Sequence, residues 1–145
     1  MTGSGNAYEE IRNLLGVYCE LMDAGDWPGL GALFAHGRVV DDKGREIAAG
    51  RDAVAALWSA MVHRYEGSPL TRHLVTGPII EVSDDSAACR SSFLVVQKPP
   101  NGDLRLVAAG RYRDRFASIE GRWVFTERQF FLEQEGDMSQ HLVDL

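Results

Sequence analysis

Apolar residues recur at three- and four-residue spacing through the first part of the chain and alternate with polar ones through its second half. Tyr8, Ile11, Leu14, Leu15, Tyr18, Leu21 and Met22 form one stripe, which predicts a helix over residues 7–24. Gly25 stands where a helix-ending glycine belongs. Asp26 is suited to cap a short second helix with Pro28 in its first turn and Leu30, Leu33 and Phe34 turned inward. Residues 38–41 and 46–49 read as short strands split by the turn Asp42-Lys43-Gly44. A third helix is expected over residues 51–65, with Val54, Leu57, Trp58, Met61 and Val62 as its buried stripe, until Gly67-Ser68-Pro69 stops it.

Longer stretches follow at residues 70–82, 87–98, 104–117 and 122–132, joined by short turns. They read as one antiparallel meander, because Asn101-Gly102 and Gly121 supply the backbone freedom that tight hairpins need. Each is about twice the usual ~5–6 residues of a strand, and strands that long bend or bulge. Helices first and a meander afterwards define an α+β class, with the helices gathered on one face of the sheet. The chain reads as a single domain over 1–145, with residues 1–6 and 134–145 as flexible tails. The alternative for the second tail is cover for a pocket mouth through Met138, Leu142 and Val143. Strict alternation puts Leu104, Leu106, Ala108, Gly110, Tyr112, Asp114 and Phe116 on one face of the third long strand. That face is read as interior, with Ala108 and Gly110 leaving space for a ligand. The opposite face carries Arg105, Arg111, Arg113 and Arg115, and Asp114 is expected to form a salt bridge with the neighbouring arginines, with a role as a base or as an orienting group for His73 as the lesser alternative.

Composition acts mainly by exclusion. A net charge of −6 argues against nucleic acid or an anionic membrane as partner. No stretch approaches the ~18 apolar residues of a membrane span. Met1 to Asn6 lacks the basic and apolar regions of a signal peptide. Cys19 and Cys89 belong to no CxxC or Cys/His pattern and read as reduced, buried thiols of a cytoplasmic protein, with a disulfide between them as the lesser alternative. No phosphate loop, nucleophile elbow or dinucleotide fingerprint is present, and neither His63 nor His73 has carboxylates at metal-ligand spacing. Neither a cofactor nor a metal is therefore expected.

Several segments together resemble a known family. They are Asp26-Trp27 through Leu33-Phe34, Gly50-Arg51-Asp52-Ala53-Val54, Thr71-Arg72-His73-Leu74-Val75-Thr76, Gly110-Arg111-Tyr112-Arg113-Asp114, and Gly121-Arg122-Trp123 through Glu127-Arg128. The chain is similar there to the SnoaL-like branch of the nuclear transport factor 2-like superfamily. The resemblance implies a cone-shaped fold in which a strongly curved, mainly antiparallel mixed sheet wraps a long helix around a deep apolar pocket. Relatives include scytalone dehydratase, polyketide cyclases, a steroid isomerase and small subunits of ring-hydroxylating dioxygenases, so fold alone does not select a reaction. It also implies a homodimer through the outer face of the sheet, to which Val107, Ala109, Phe130 and Leu132 would contribute.

In the dehydratases of that group, a tyrosine and an aspartate of the first helix meet a histidine at the start of a long strand. Tyr18, Asp23 and His73 occupy the matching positions. The further acid or histidine of the next strand has no counterpart here beyond Ser91, Ser92 or Gln97, and Gly77 replaces an asparagine. An imidazole can take a proton beside a carbonyl and return it elsewhere. His73 is thus the expected general acid or base, Asp23 its orienting carboxylate and Tyr18 the donor to a developing oxyanion. Tyr18 and Asp23 diverge by ~140° on an ideal helix, so convergence is expected only if the helix unwinds near Gly25. Trp58, Ser92, Ala108, Gly110 and Tyr112 are expected to contact the ligand, while His36, His63 and His141 read as surface residues. The expected function is a cofactor-independent lyase or isomerase acting on a small hydrophobic cyclic molecule. The alternative is a non-catalytic ligand-binding or assembly module.

Overall fold

The computed structural model describes residues 4–143. The expected tail residues 1–3 and 144–145 lie outside the described residues. Helix α1 runs Ser4–Ala24, α2 Trp27–Leu33 and α3 Arg51–Met61, with short strands β1 Arg38–Val40 and β2 Glu46–Ala49 between the last two. The meander follows as β3 Thr71–Ser83, β4 Ser86–Gln97, β5 Arg105–Ile119 and β6 Arg122–Glu135. Sheet order is β2-β1-β6-β5-β4-β3, antiparallel throughout except for the parallel pairing of β1 with β6. Three helices thus pack on a six-stranded mixed sheet that does not close, an α+β cone.

The capping chemistry is as the sequence dictates. Asp26 accepts from the Gly29 N–H at 2.9 Å, and Gly25 ends α1 with φ of +67°. Helix α1 lays Ile11, Leu15, Tyr18 and Met22 into the cone against Phe34, Phe116 and Phe125. Each such side chain contributes about 1.5–3 kcal/mol on leaving water. Tyr8, at the open end of the stripe, is 39 % exposed. Helix α3 ends at Met61 rather than continuing to residue 65. Val62 turns extended and pairs with Leu142, so a long-range bridge replaces the last helical turn. Ser4 to Asn6 are helical and 134–135 belong to β6, which shortens both expected tails.

Bulges decide which side chains enter the cone. On β5, Val95 pairs with Ala108 and Val96 with Leu106, so Val107 is the extra residue. Val107 and Ala108 are consequently both buried, and the parity of the strand reverses there. Leu104 and Leu106, expected inside, are 69 % and 55 % exposed. On β6 a second bulge at Thr126 moves the inward positions from Trp123 and Phe125 to Arg128, Phe130 and Leu132. Val107, Phe130 and Leu132 therefore do not belong to the outer face: Val107 is fully buried, and the other two line the cavity of the inner face, where Leu132 is still 38 % exposed. Exposed apolar area on that outer face comes instead from cross-strand neighbours Leu74 and Leu94, and from Leu106.

Gly110 leaves no free space. A Cβ there would collide with the Phe131 carbonyl oxygen and lie 2.8 Å from the Phe93 ring. Its place is taken by Phe93, which stacks on Tyr112 with centroids 4.5 Å apart. Gly110→Ala should lower stability by about 1–3 kcal/mol through overpacking, read as a shift of the urea midpoint.

Candidate active site

Helix α1 delivers Asp23 to the first residues of β3 without unwinding. The carboxylate stays within α1 and accepts the Thr71 hydroxyl at 2.9 Å, the His73 backbone N–H at 2.9 Å, and His73 Nδ1 at 2.6 Å. A carboxylate at a helix C-terminus faces the negative end of the dipole, and these three donors offset that penalty. Leu70, in the left-handed region at φ of +59°, turns the chain into this arrangement. With Nδ1 protonated to donate to Asp23, Nε2 of His73 keeps its lone pair for the space beyond. The side chains of His73 and Asp23 are 7 % and 11 % exposed.

That space is a cavity of about 90 Å³ between α1, α3, the sheet and the C-terminal segment. Its polar wall consists of Tyr18, His73, Tyr112 and His141; the rest is apolar, including Met22, Trp58, Phe93, Ala108 and Phe130. Tyr18, His73, Trp58, Ala108 and Tyr112 of the expected set therefore meet at one cavity, with Asp23 behind His73. Ser92 does not: it faces outward and is exposed, because it alternates with the inward Ser91 and Phe93. Ser91 is buried away from this cavity, and Gln97 binds the Pro69 and Gln140 carbonyls instead.

The C-terminal segment covers the cavity. Gln140 O accepts from Tyr65 Oη at 2.6 Å and from Gln97 Nε2 at 3.0 Å, while His63 N–H donates to His141 O. Met138, His141 and Leu142 thereby become wall. His141 is no surface residue: it is 5 % exposed, its ring centroid lies 5.9 Å from that of His73, and its Nδ1 has no partner among the described residues. His63 is half-buried, and only His36 is exposed as expected. No periodicity marked His141, since its burial depends on where a non-repetitive segment docks. Burial, with the neighbouring His73 adding to it, pushes the His141 imidazole down to about 4. Between about pH 6.5 and pH 4 the unfolded chain takes a proton that the folded one refuses, so this residue makes stability fall as pH falls. His141→Gln should remove up to about 3 kcal/mol of that acid destabilisation, measured by urea unfolding at pH 7 and pH 4.5.

Behind the phenols sits a buried ion pair. Arg128 Nε and Nη2 donate to the two Asp114 oxygens at 2.8 and 3.0 Å, with side chains 1 % and 0 % exposed. Asp114 is thus paired across strands with Arg128, not with Arg111, Arg113 or Arg115, whose side chains alternate to the outer face. Burial lifts the Asp114 carboxyl above its ordinary range against the opposing pull of Arg128. Burial also works against the guanidinium charge, but Asp114 more than restores it. Sequence reasoning missed Arg128 because the bulge at Thr126 is what turns it inward. Cys19 and Cys89 are free and buried. Among the described residues no His/Cys/Asp/Glu group has metal-binding geometry, and no helix is long and apolar enough to cross a membrane.

A helix sheathed by a curved, open sheet is the nuclear transport factor 2-like class of fold. Within that class the SnoaL-like domain family matches residues 4–129, and the chain belongs to that family. It is 30% identical over 138 residues to the terephthalate 1,2-dioxygenase terminal oxygenase component subunit β 1 of Comamonas sp., covering 82% of this chain and 86% of the relative. It is also 30% identical over 148 residues to the methanesulfonate monooxygenase hydroxylase subunit β of Methylosulfonomonas methylovora, covering 88% and 81% of the two chains. A solved structure of a candidate scytalone dehydratase from Novosphingobium aromaticivorans superposes with a TM-score of 0.71 at 22% identity, over 90% of this chain and 87% of that one, a likeness of fold.

Proposed function

We propose that the protein is a cofactor-independent acid–base lyase or isomerase for a small hydrophobic cyclic molecule bearing a carbonyl or hydroxyl group. The observation that carries this reading is the Asp23–His73 pair at 2.6 Å, with the second ring nitrogen left to a cavity that Tyr18 shares. Asp23 fixes the tautomer and supports positive charge on the ring. His73 Nε2 removes a proton beside the substrate carbonyl, Tyr18 donates to the resulting oxyanion, and the proton returns to a leaving hydroxyl or to another carbon. Dehydration, double-bond migration and aldol-type ring closure all use these steps. A single ring suits a cavity of about 90 Å³, and a larger ligand would have to displace the segment carrying Met138 and Leu142. We place the protein in the cytoplasm, where the Cys19 and Cys89 thiols stay reduced, as a homodimer through the outer sheet face bearing Leu74, Leu94 and Leu106.

The test is a screen of cyclic hydroxyketones and enones for loss of water or double-bond shift, followed by His73→Ala on any compound turned over. A second reading is favoured by the two relatives named as oxygenase β subunits. In it, the outer sheet face docks a larger subunit and the cavity does no chemistry. Ligand binding and turnover that ignore His73→Ala would move the balance to that assembly module.

A further inference from the structure

Arg128 is the largest wholly buried side chain and is not part of the cavity wall, yet the two phenols that are part of it both lie against its guanidinium. Its Cζ is 3.5 Å from the Tyr112 ring centroid and 4.2 Å from that of Tyr18. The two rings meet edge-on, 6.2 Å apart at 72°. Asp114 holds Nε and Nη2, and Nη1 has no hydrogen-bond partner among the described residues, which leaves it to the rings.

We propose that Arg128 is a positioning residue acting through Tyr18 and Tyr112: its charge makes the two phenols a donor pair tuned to an oxygen bearing negative charge. The site therefore selects acidic phenols and enolisable ketones over neutral rings of the same shape. This deepens the acid–base reading and rests on it. A cation on the face of a phenol stabilises the phenolate more than the neutral ring, so it strengthens the O–H as a donor. No water screens the charge here, since Arg128 and Asp114 are buried. Burial pushes the Tyr18 hydroxyl up to about 12 even with the charge of Arg128 opposing it. Tyr112 is likewise raised well above the ordinary phenol range by burial and by Tyr18, again with Arg128 in opposition. Arg128 thus keeps two buried phenols closer in acidity to the ligand oxygen than their surroundings would allow. The cavity wall itself carries no Lys or Arg, so a carboxylate or phosphate finds no ion-pair partner there. A delocalised oxyanion, satisfied by two strong neutral donors, fits that wall.

The test is an NMR titration of the full chain with toluene, p-cresol, p-chlorophenol and p-nitrophenol, a series of similar shape and rising acidity. In the wild type, affinity is expected to rise along the phenols and to exceed that for toluene. The double variant Asp114→Leu/Arg128→Met replaces the ion pair with apolar side chains and so avoids an orphaned buried charge. It should bind toluene as the wild type does and p-nitrophenol roughly tenfold more weakly. Arg128→Lys, which restores the charge without the planar fork, should fall between them. Tyr112→Phe leaves the ion pair in place and should also flatten the dependence. A dependence on acidity that survives in the double variant or in Tyr112→Phe overturns the proposal while leaving His73 untouched. A wild type that binds none of the series removes the ligand site itself, and with it both readings.

Discussion

Asp114→Ala should lower the unfolding free energy by about 3–5 kcal/mol, among the largest losses any single substitution in this chain can produce. The carboxylate it removes is the sole hydrogen-bond partner of Arg128 among the described residues, and both side chains are buried in the cone. What remains is a guanidinium wedged between Tyr18, Tyr112 and Phe125 with neither counter-ion nor room to reach water. Removing both charges is a different experiment. Asp114→Leu/Arg128→Met should be near neutral or even stabilising, because an ion pair gains little over apolar packing once desolvation is counted. The raised Asp114 carboxyl points the same way. Urea denaturation of wild type, single and double variant settles the ranking, read as a midpoint shift at constant m-value. If Asp114→Ala loses less than about 1 kcal/mol, the guanidinium is reaching solvent and the pair is not the closed unit described above.

The second large effect concerns turnover. On a compound that the protein transforms, His73→Ala should lower kcat by about 10²–10⁴-fold, the range for removing a positioned general base. Asp23→Asn should approach that loss even though it preserves volume. Its amide would present an N–H where Nδ1 now donates, at a site 2.6 Å away, and turn the lone pair of His73 from the cavity towards the helix. Because Asp23 also accepts from Thr71 and from the His73 backbone N–H, the variant should lose stability as well. Thr71→Val offers the contrast: it removes one of those donors but leaves the imidazole contact. It should cost about 1 kcal/mol of stability with a far smaller change in kcat. Equal losses of kcat in Thr71→Val and Asp23→Asn would mean that the carboxylate acts only by holding β3 in place.

The elements that could be read from the chain share a property. The α1 stripe, the Asp26 cap and the turn at Gly121, whose φ is +78°, are all set by residues within a few positions of one another, whereas Asn101 and Gly102 turn the chain without the positive φ expected of them. The motif Thr71-Arg72-His73 is equally local, and Asp23 could be matched to it by resemblance. The contact between them could not: α1 stays wound to Ala24, and β3 begins beside the helix end and comes to the carboxylate.

Local periodicity therefore determined the three helices, the meander and the α+β class, while the resemblance of short motifs to a known family nominated Tyr18, Asp23 and His73. Tertiary structure decided the composition of the site. Alternation along a strand is a reliable guide only while the ladder is regular, and the extra residues at Val107 and Thr126 each reverse it. One reversal turned Leu104 and Leu106 outward; the other brought Arg128 and Phe130 inside and set Leu132 against the cavity while leaving it 38 % exposed. His141 entered the wall because backbone hydrogen bonds from His63 and Val143, with Tyr65 and Gln97 on Gln140, dock an aperiodic segment over the open side of the cone. Each of these outcomes depends on partners in another strand or segment, and a pattern read over a few positions carries no term for them.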